Sequence, residues 1–484
     1  MNQNIMSLEP ALLWDYFMKI CRIPRPSGKT LAMQDWLLAF AIEKGLDSKR
    51  DSVGNVLISK PSSVGYEKNP AVVLQSHMDM VAEKNANVRH DFYTDPIETY
   101  IDGEWLKAKG TTLGADNGIG MAAQLAVLAS DNLAHGPVEC LFTVDEETGL
   151  YGAFGLEADF FTGTRLINLD SEEEGEIFIG CAGGINSKFS FNYKTEPAPS
   201  DYFYVKIALK GLTGGHSGDD IEKGRGNANH LLARFLWHEN AETDLRLADF
   251  KGGNLSNAIP REATCIVGVP WSQKEQIRVH LNCYLADLEE EFGDIEPNLN
   301  LELESTTMPI EVVSKSDSTR FISVMYACLN GVIAMSHKLP GLVETSLNLA
   351  SVKQGGEKEW VITTSQRSSV EVSKFVLSHR LEALFSLAGI SASHGDGYPG
   401  WNPNPDSALM KIVAGTYKDL FGTDAKVKAI HAGLECGLFL QKYPSLDMVS
   451  IGPTMRGVHS PDERLHIPAV KNFWILLTES LKRL

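Results

Sequence analysis

At 484 residues the chain exceeds what one ordinary hydrophobic core supports, so two or three domains are expected. Its composition, 43% hydrophobic and 22% charged, is that of a soluble globular protein, and a formal net charge of −18 argues against nucleic acid, which rewards clustered Lys and Arg. No run of about 18 apolar residues offers a membrane span, and the opening MNQNIMSLEP lacks the basic-then-apolar pattern of a signal peptide.

Seven scattered cysteines, odd in number and without a CxxC pair, point to a reducing cytoplasm rather than a disulfide framework. Cys140 and Cys283 sit in apolar runs and read as small core residues.

In chain order, Ser7 is expected to cap a first helix carrying Leu12, Leu13, Tyr16, Phe17 and Ile20 at helical spacing. IPRPSG breaks it. A second helix runs from about Leu31 to Lys44 and stops at Gly45. Residues 55–59 form a short strand. The apolar strand 71–75, AVVLQ, leads straight into His77 and Asp79. GTTLGADNGIG (110–120) reads as a glycine-flanked loop around Asp116, followed by a small-residue helix over 119–129. Strand 138–144 ends in Asp145-Glu146-Glu147, and strand 165–169 ends in Asp170. A late strand, 448–451, leads through GPTMRG to His459. The last helix starts near Pro468 and carries Val470, Phe473, Trp474, Leu477 and Leu481 on one face.

Strands alternating with helices give an α/β fold with a mostly parallel sheet sandwiched by helices, and such sheets place their sites past the strands' C-terminal ends. The middle of the chain differs. From about Phe203 the order is strand, helix, strand, strand, helix, strand, and it recurs after about Pro309. Helix starts are expected near Asn227, at Ser272 with Glu275 as a capping box, and at Ser368 with Glu371, this last helix stopping at Gly389. The expected organisation is a catalytic domain of residues 1–188 and 397–484, with residues 189–396 inserted as an α+β domain of two ferredoxin-like halves.

Imidazoles and carboxylates at strand ends suit Zn²⁺, with Co²⁺ or Mn²⁺ also suited. Asp116 is the best bridge between two ions. His77 and Asp170 would complete one set, Glu147 and His459 the other. Neighbouring side chains leaving a strand point apart, so Glu147 can bind metal while Glu146 serves as general base. Asp79 is placed to accept from the free ring nitrogen of His77. Taken singly, each residue has an ordinary reading as a turn, a solvated acid or a loop histidine. Their convergence from four apolar strands does not.

The chain resembles the di-zinc aminopeptidase/aminoacylase superfamily, and within it the bacterial aminoacyl-histidine dipeptidases. The resemblance covers the whole chain. It is carried by HMDMV at His77, KGTTLGADNGIGMA around Asp116, EETGLYGAFGL from Glu146, NLDSEEEGEIFIGCAGG around Asp170, KGLTGGHSG around His216, IHAGLECGLF around His431 and SIGPTMRGVHSPDE through His459.

The resemblance implies a zinc-exopeptidase-type fold with the inserted domain as a lid, two Zn²⁺ per chain on the five ligands already named, and a cis peptide bond after Asp116. It assigns His216 to the substrate carbonyl, Asn257 to assist it, Arg367 to the substrate's C-terminal carboxylate, and Gly433 to a backbone contact near that end. Asp170, where carboxypeptidase- and deacylase-type relatives carry Glu, is what aminopeptidase and dipeptidase members of the family carry. A doubled lid would supply in cis the histidine that half-lid relatives borrow from a partner subunit, so a homodimer is compatible but not required.

The expected function is hydrolysis of unblocked dipeptides, Xaa-His and carnosine-like ones included, by a metal-bridging hydroxide. The alternatives are an amidohydrolase of N-acyl amino acids, a phosphoesterase, and a non-catalytic metal-binding scaffold, which would have no use for Glu146.

Overall fold

The computed structural model describes residues 5–484. It divides into two compact units, one of Met1–Gly180, Pro403–Ala429 and Leu434–Leu484, the other of Cys181–Asn402 and Ile430–Gly433.

The first unit is built on an eight-stranded sheet. Its order is Asp47–Arg50, Val56–Lys60, Val138–Thr143, Val72–His77, Arg165–Asn168, Asp447–Ser450, Glu176–Cys181, Lys426–Ile430. The four central strands run parallel, whereas pairing is antiparallel at the Asp47 edge and between Asp447–Ser450 and Glu176–Cys181. The sheet is therefore mixed, with a parallel centre. Strands Val72–His77 and Val138–Thr143 are buried along their whole length, which is why both read as continuous apolar runs rather than alternating ones. Register aligns the strand ends: His77 sits opposite Thr143, and Gln75 and Ser450 both sit opposite Asn168. Everything following these strands emerges at one edge.

Helix Ala115–Ala129 packs against this sheet and against helix Ala11–Ile20, and it is buried on nearly every side. Small residues at 115, 118, 120, 122, 123 and 126 permit that approach. The helix begins four residues earlier than expected, so Asp116 lies in its first turn, where Asp116 and Asn117 depart from helical angles. A separate four-stranded sheet, ordered Met455–Arg456, Arg464–His466, Trp105–Ala108, Thr99–Asp102, holds both ends of the loop that carries His459.

The second unit contains one nine-stranded sheet. Strands Tyr202–Lys210, Arg246–Gly252, Ala263–Pro270 and Asn300–Ser305, with helices Ala228–Glu242 and Lys274–Phe292, form one half in the order fourth, first, third, second. The other half repeats that order with Gly183–Asn192, Val343–Gln354, Glu359–Ser368 and Ser391–His394, and helices Lys315–Ala327 and Glu371–Leu387. Its first strand precedes the whole of the first half in the chain, so the repeat does not begin near Pro309. The halves join where Gly252 pairs with Val352.

Several local expectations change. The first helix starts at Ala11 after Pro10, and Ser7 ends a short 3-10 turn instead of capping it. The Ser272–Glu275 capping box does not form: a 3-10 turn, Trp271–Gln273, intervenes, and Glu275 pairs with Arg278 at 3.1 Å. Ser368 ends a strand, and its hydroxyl accepts from Val370 N (3.1 Å) one residue before the helix. Asn227 does cap its helix, accepting from the backbone of Asn229 and His230. Cys140 is buried, but Cys283 is exposed on the solvent side of helix Lys274–Phe292.

Candidate active site

The five metal-type residues predicted from sequence meet at the C-terminal edge of the first unit's sheet. His77 closes its strand and is 1% exposed. Its Nε2 lies 2.9 Å from Asp116 Oδ1 and 3.4 Å from Asp170 Oδ1. His459 Nε2 lies 3.1 Å from Asp116 Oδ2 and 3.1 Å from Glu147 Oε2. Asp116 thus offers one oxygen to each histidine. Asn117, joined to it by a cis peptide bond, donates through Nδ2 to Leu169 O (3.1 Å) and to the Asp170 carboxylate. His459 itself adopts φ 62° and Asp145 φ 52°, left-handed values that non-glycine residues seldom take.

Two ligand sets result: His77, Asp116 and Asp170, and Asp116, Glu147 and His459, each with ligand atoms within 4.8 Å of one another. His77, Glu146 and Glu147 also converge. The residues fit a pair of divalent ions on two observations. Atoms bound to one tetrahedral ion about 2.1 Å away stand about 3.4 Å apart, close to the spacings found here. The cluster also draws positive charge to itself. Bonds from Asp116 and Glu147 push His459 up to about 11 against its burial. Burial would lower His77, but the charge of Asp170, the bond to Asp116 and the nearby carboxylate of Asp79 hold it well above the usual imidazole range. Asp116 is held below the carboxylate range by the two histidines, despite burial. Glu147 Oε1 is buried without a hydrogen-bond partner among the described residues.

Asp79 lies beyond the strand end with Oδ1 3.3 Å from His77 Nδ1, without hydrogen-bond geometry. It also accepts from Ser27 Oγ (2.8 Å), Glu146 N (3.0 Å) and Glu147 N (3.3 Å), so one carboxylate steadies both the imidazole and the acid pair. Glu146 is raised well above the carboxylate range, first by burial, then by Asp170, Glu147 and Glu435, with His77 opposing. A carboxyl group with that balance is suited to hold a proton and release it.

Three buried charged residues escaped the sequence reading. Glu463 accepts from the backbone of Leu113 (2.6 Å), Gly114 (2.9 Å), Ala115 (2.8 Å) and Asp116 (3.4 Å). Arg25 donates to Met78 O (3.1 Å), Asp79 O (2.7 Å) and Gly114 O. Glu435 accepts from Gln75 Nε2 (2.6 Å) and Thr143 Oγ1 (2.8 Å), while Gln75 Oε1 accepts from Asn168. Charge inside an apolar stretch was the available signal for Glu435 alone, in GLECGLF; Arg25 and Glu463 sit among prolines and polar residues.

The second unit gathers the remaining candidates among themselves. Gly215–His216 pairs with Ala258–Ile259, and Ser217 N donates to Asn257 O (2.8 Å), which ties the His216 and Asn257 loops together. Asn348 Nδ2 braces the Asn257 turn from both sides through Ser256 O (3.2 Å) and Ala258 O (2.8 Å). Arg367, 7% exposed, places Nη2 3.4 Å from His216 Nε2 and donates from Nη1 to Tyr398 Oη (2.9 Å). Gly433 lies beneath the Tyr398 ring. His431 is buried against Ser346 Oγ (2.7 Å), and burial followed by Arg367 lowers it to about 4, which keeps it neutral.

The model of Peptidase family M20/M25/M40 matches residues 73–482. The chain is 48% identical over 482 residues to the cytosol non-specific dipeptidase of Escherichia coli (strain K12), covering 99% of each. The crystal structure of aminoacylhistidine dipeptidase from Vibrio alginolyticus matches with TM-score 0.92 and 45% identity, over 100% of this chain and 98% of that one. A tripeptidase from Staphylococcus aureus, 17% identical with TM-score 0.57 over 98% of both chains, shares the fold. Strand-end histidines and carboxylates, full-length identity and a family model spanning most of the sequence agree: the chain belongs to peptidase family M20/M25/M40.

Proposed function

We propose that this peptidase is a cytoplasmic dipeptidase that hydrolyses unblocked dipeptides, Xaa-His and carnosine-like ones included, with two Zn²⁺ as its cofactor and Co²⁺ or Mn²⁺ as substitutes. The observation that carries the reading is the pair of ligand sets sharing Asp116, with the Glu146 carboxyl raised beside them. Full-length identity to two dipeptidases supports the substrate class.

His77, Asp116 and Asp170 would hold one ion and Asp116, Glu147 and His459 the other; when bound, such a pair polarises the scissile carbonyl and makes water a nucleophile near neutral pH. Asp79 orients the His77 ring. Glu146 takes the proton of the attacking water and returns it to the leaving amine. His216, with Asn257, donates to the carbonyl oxygen as charge builds on it. Arg367 and the backbone at Gly433 hold the substrate's C-terminal carboxylate, which limits the substrate to two residues. Arg367 is nearly buried and has no carboxylate partner among the described residues, and an unpaired guanidinium of that kind is matched by an anionic ligand.

The test is a dipeptide panel, Xaa-His against other C-terminal residues, run on chelator-stripped protein reconstituted with Zn²⁺, Mn²⁺ or Co²⁺. N-acetyl amino acids and a phosphomonoester run alongside. Turnover of free dipeptides only after metal addition is expected. Faster turnover of the N-acetyl amino acids would replace the dipeptidase reading with the amidohydrolase one.

A further inference from the structure

Arg367 is short of partners. It ends strand Glu359–Ser368, is 7% exposed, and its Nε is buried with no acceptor among the described residues. Of its two terminal nitrogens, Nη2 faces His216, and among the described residues only Nη1 meets an oxygen, the Tyr398 hydroxyl at 2.9 Å. A flexible guanidinium loses rotamer freedom when it binds an anion, and a group that fixes it beforehand removes that cost from binding.

Tyr398 is built to be such a group. Its backbone exchanges hydrogen bonds with Gly184 (2.8 and 3.0 Å), and its carbonyl also accepts from Lys374 Nζ at 2.7 Å. Lys374 is 1% exposed and pairs with Glu371 Oε1 at 2.8 Å, so helix Glu371–Leu387 anchors the segment. The ring has its space reserved. A Cβ on Gly184 would come within 2.7 Å of the hydroxyl oxygen, and one on Gly433 within 2.9 Å of the ring carbon Cε2. Two glycines, one of them a candidate substrate contact, leave the phenol a single seat.

We propose that Tyr398 is a positioning residue that holds the Arg367 guanidinium in place for the substrate's C-terminal carboxylate, and so sets the preference for substrates with a free C-terminus. This rests on the reading of Arg367 given under the proposed function. Tyr398 acts through Arg367 and does not touch the reacting bond.

The test is Tyr398→Phe, which removes one oxygen and keeps the ring. KM and kcat are measured for a dipeptide, and Ki for the C-terminal amide of that dipeptide as a competitor. The dipeptide KM is expected to rise roughly 10- to 150-fold, as for loss of one charged hydrogen bond, with kcat within about two-fold and the amide Ki unchanged. A partly unfolded sample lowers kcat alone, because the folded fraction keeps its KM, so the comparison survives a loss of stability. An unchanged dipeptide KM, or an amide Ki rising in step with it, overturns the proposal. Arg367→Lys separates the two levels. An unchanged dipeptide KM in that variant removes the carboxylate reading and this proposal with it. A raised KM there, without one in Tyr398→Phe, removes the role of Tyr398 alone.

Discussion

Glu463 reaches across 347 positions of sequence to accept a hydrogen bond from the backbone nitrogen of Asp116, at 3.4 Å. The same carboxylate takes the three preceding backbone N–H groups, so one buried side chain holds the N–H side of the turn presenting the shared metal-type aspartate. Burial pushes Glu463 up to about 7, and the backbone donors pull against that rise.

Glu463→Gln keeps the shape but turns one acceptor into a donor facing two N–H groups. The expected cost is about 2–4 kcal/mol of stability, from buried donors left unpaired. Looser placement of Asp116 should also weaken metal retention. The check is metal per chain after dialysis against a weak chelator, read beside the thermal midpoint. Retention and midpoint both equal to the parent protein would show that Glu463 does not set the Asp116 turn.

Asp116 faces both histidines and Asp170 faces one. Asp116→Ala should therefore empty both metal positions, whereas Asp170→Ala should chiefly weaken the one it shares with His77. Metal counted per chain by atomic emission during titration decides it. Two ions retained by Asp116→Ala would rule out the bridging assignment.

The site was legible where chemistry sits at the end of an apolar run. Val72–His77, Val138–Thr143, Arg165–Asn168 and Asp447–Ser450 announce themselves by hydrophobicity, and the polar residues just past them stand out. What stayed hidden depends on distant pairing. Glu463 follows His459 in an ordinary-looking SPDE turn, and its backbone partners are more than three hundred residues away. Arg25 sits in IPRPSG, which reads as a helix break, yet it clamps the His77 and Asp116 segments. The second unit's repeat was visible as a pattern, but the strand opening its latter half, Gly183–Asn192, is separated from its partners by the whole former half. Capping signals were the weakest guide. Ser272–Glu275 has the right spacing, and a 3-10 turn over Trp271–Gln273 takes the position the cap needed.

Glu146 stands beside the ligands, and its raised protonation suits a proton carrier more than a permanently charged ligand. Glu146→Gln should cost about 100-fold or more in turnover, the range expected for loss of a positioned general base, with metal content unchanged. Steady-state kinetics on samples of matched metal content test this. Turnover within a few-fold of the parent would reassign the role.

Glu435 gives the clearest pH signature in the first unit. Burial, aided by Asp170 and Asp79, pushes it from 4.5 up to about 8, against the opposing pull of His77 and Thr143. In the unfolded chain it ionises near 4.5. Between those values the folded state holds the extra proton, so this group makes stability fall as pH rises from about 4.5 to 8 and level off above that. Glu435→Gln removes the titration while keeping an acceptor for Gln75 and Thr143, and its amide nitrogen takes the place of Oε1, which has no partner among the described residues. Relative to the parent, the variant should gain stability with rising pH, by up to about 1.4 kcal/mol per unit within that window. The measurement is the difference in unfolding midpoint between the two proteins at pH 5, 6, 7 and 8, at constant metal concentration. A difference that stays flat across that range would mean that Glu435 is already ionised in the folded protein.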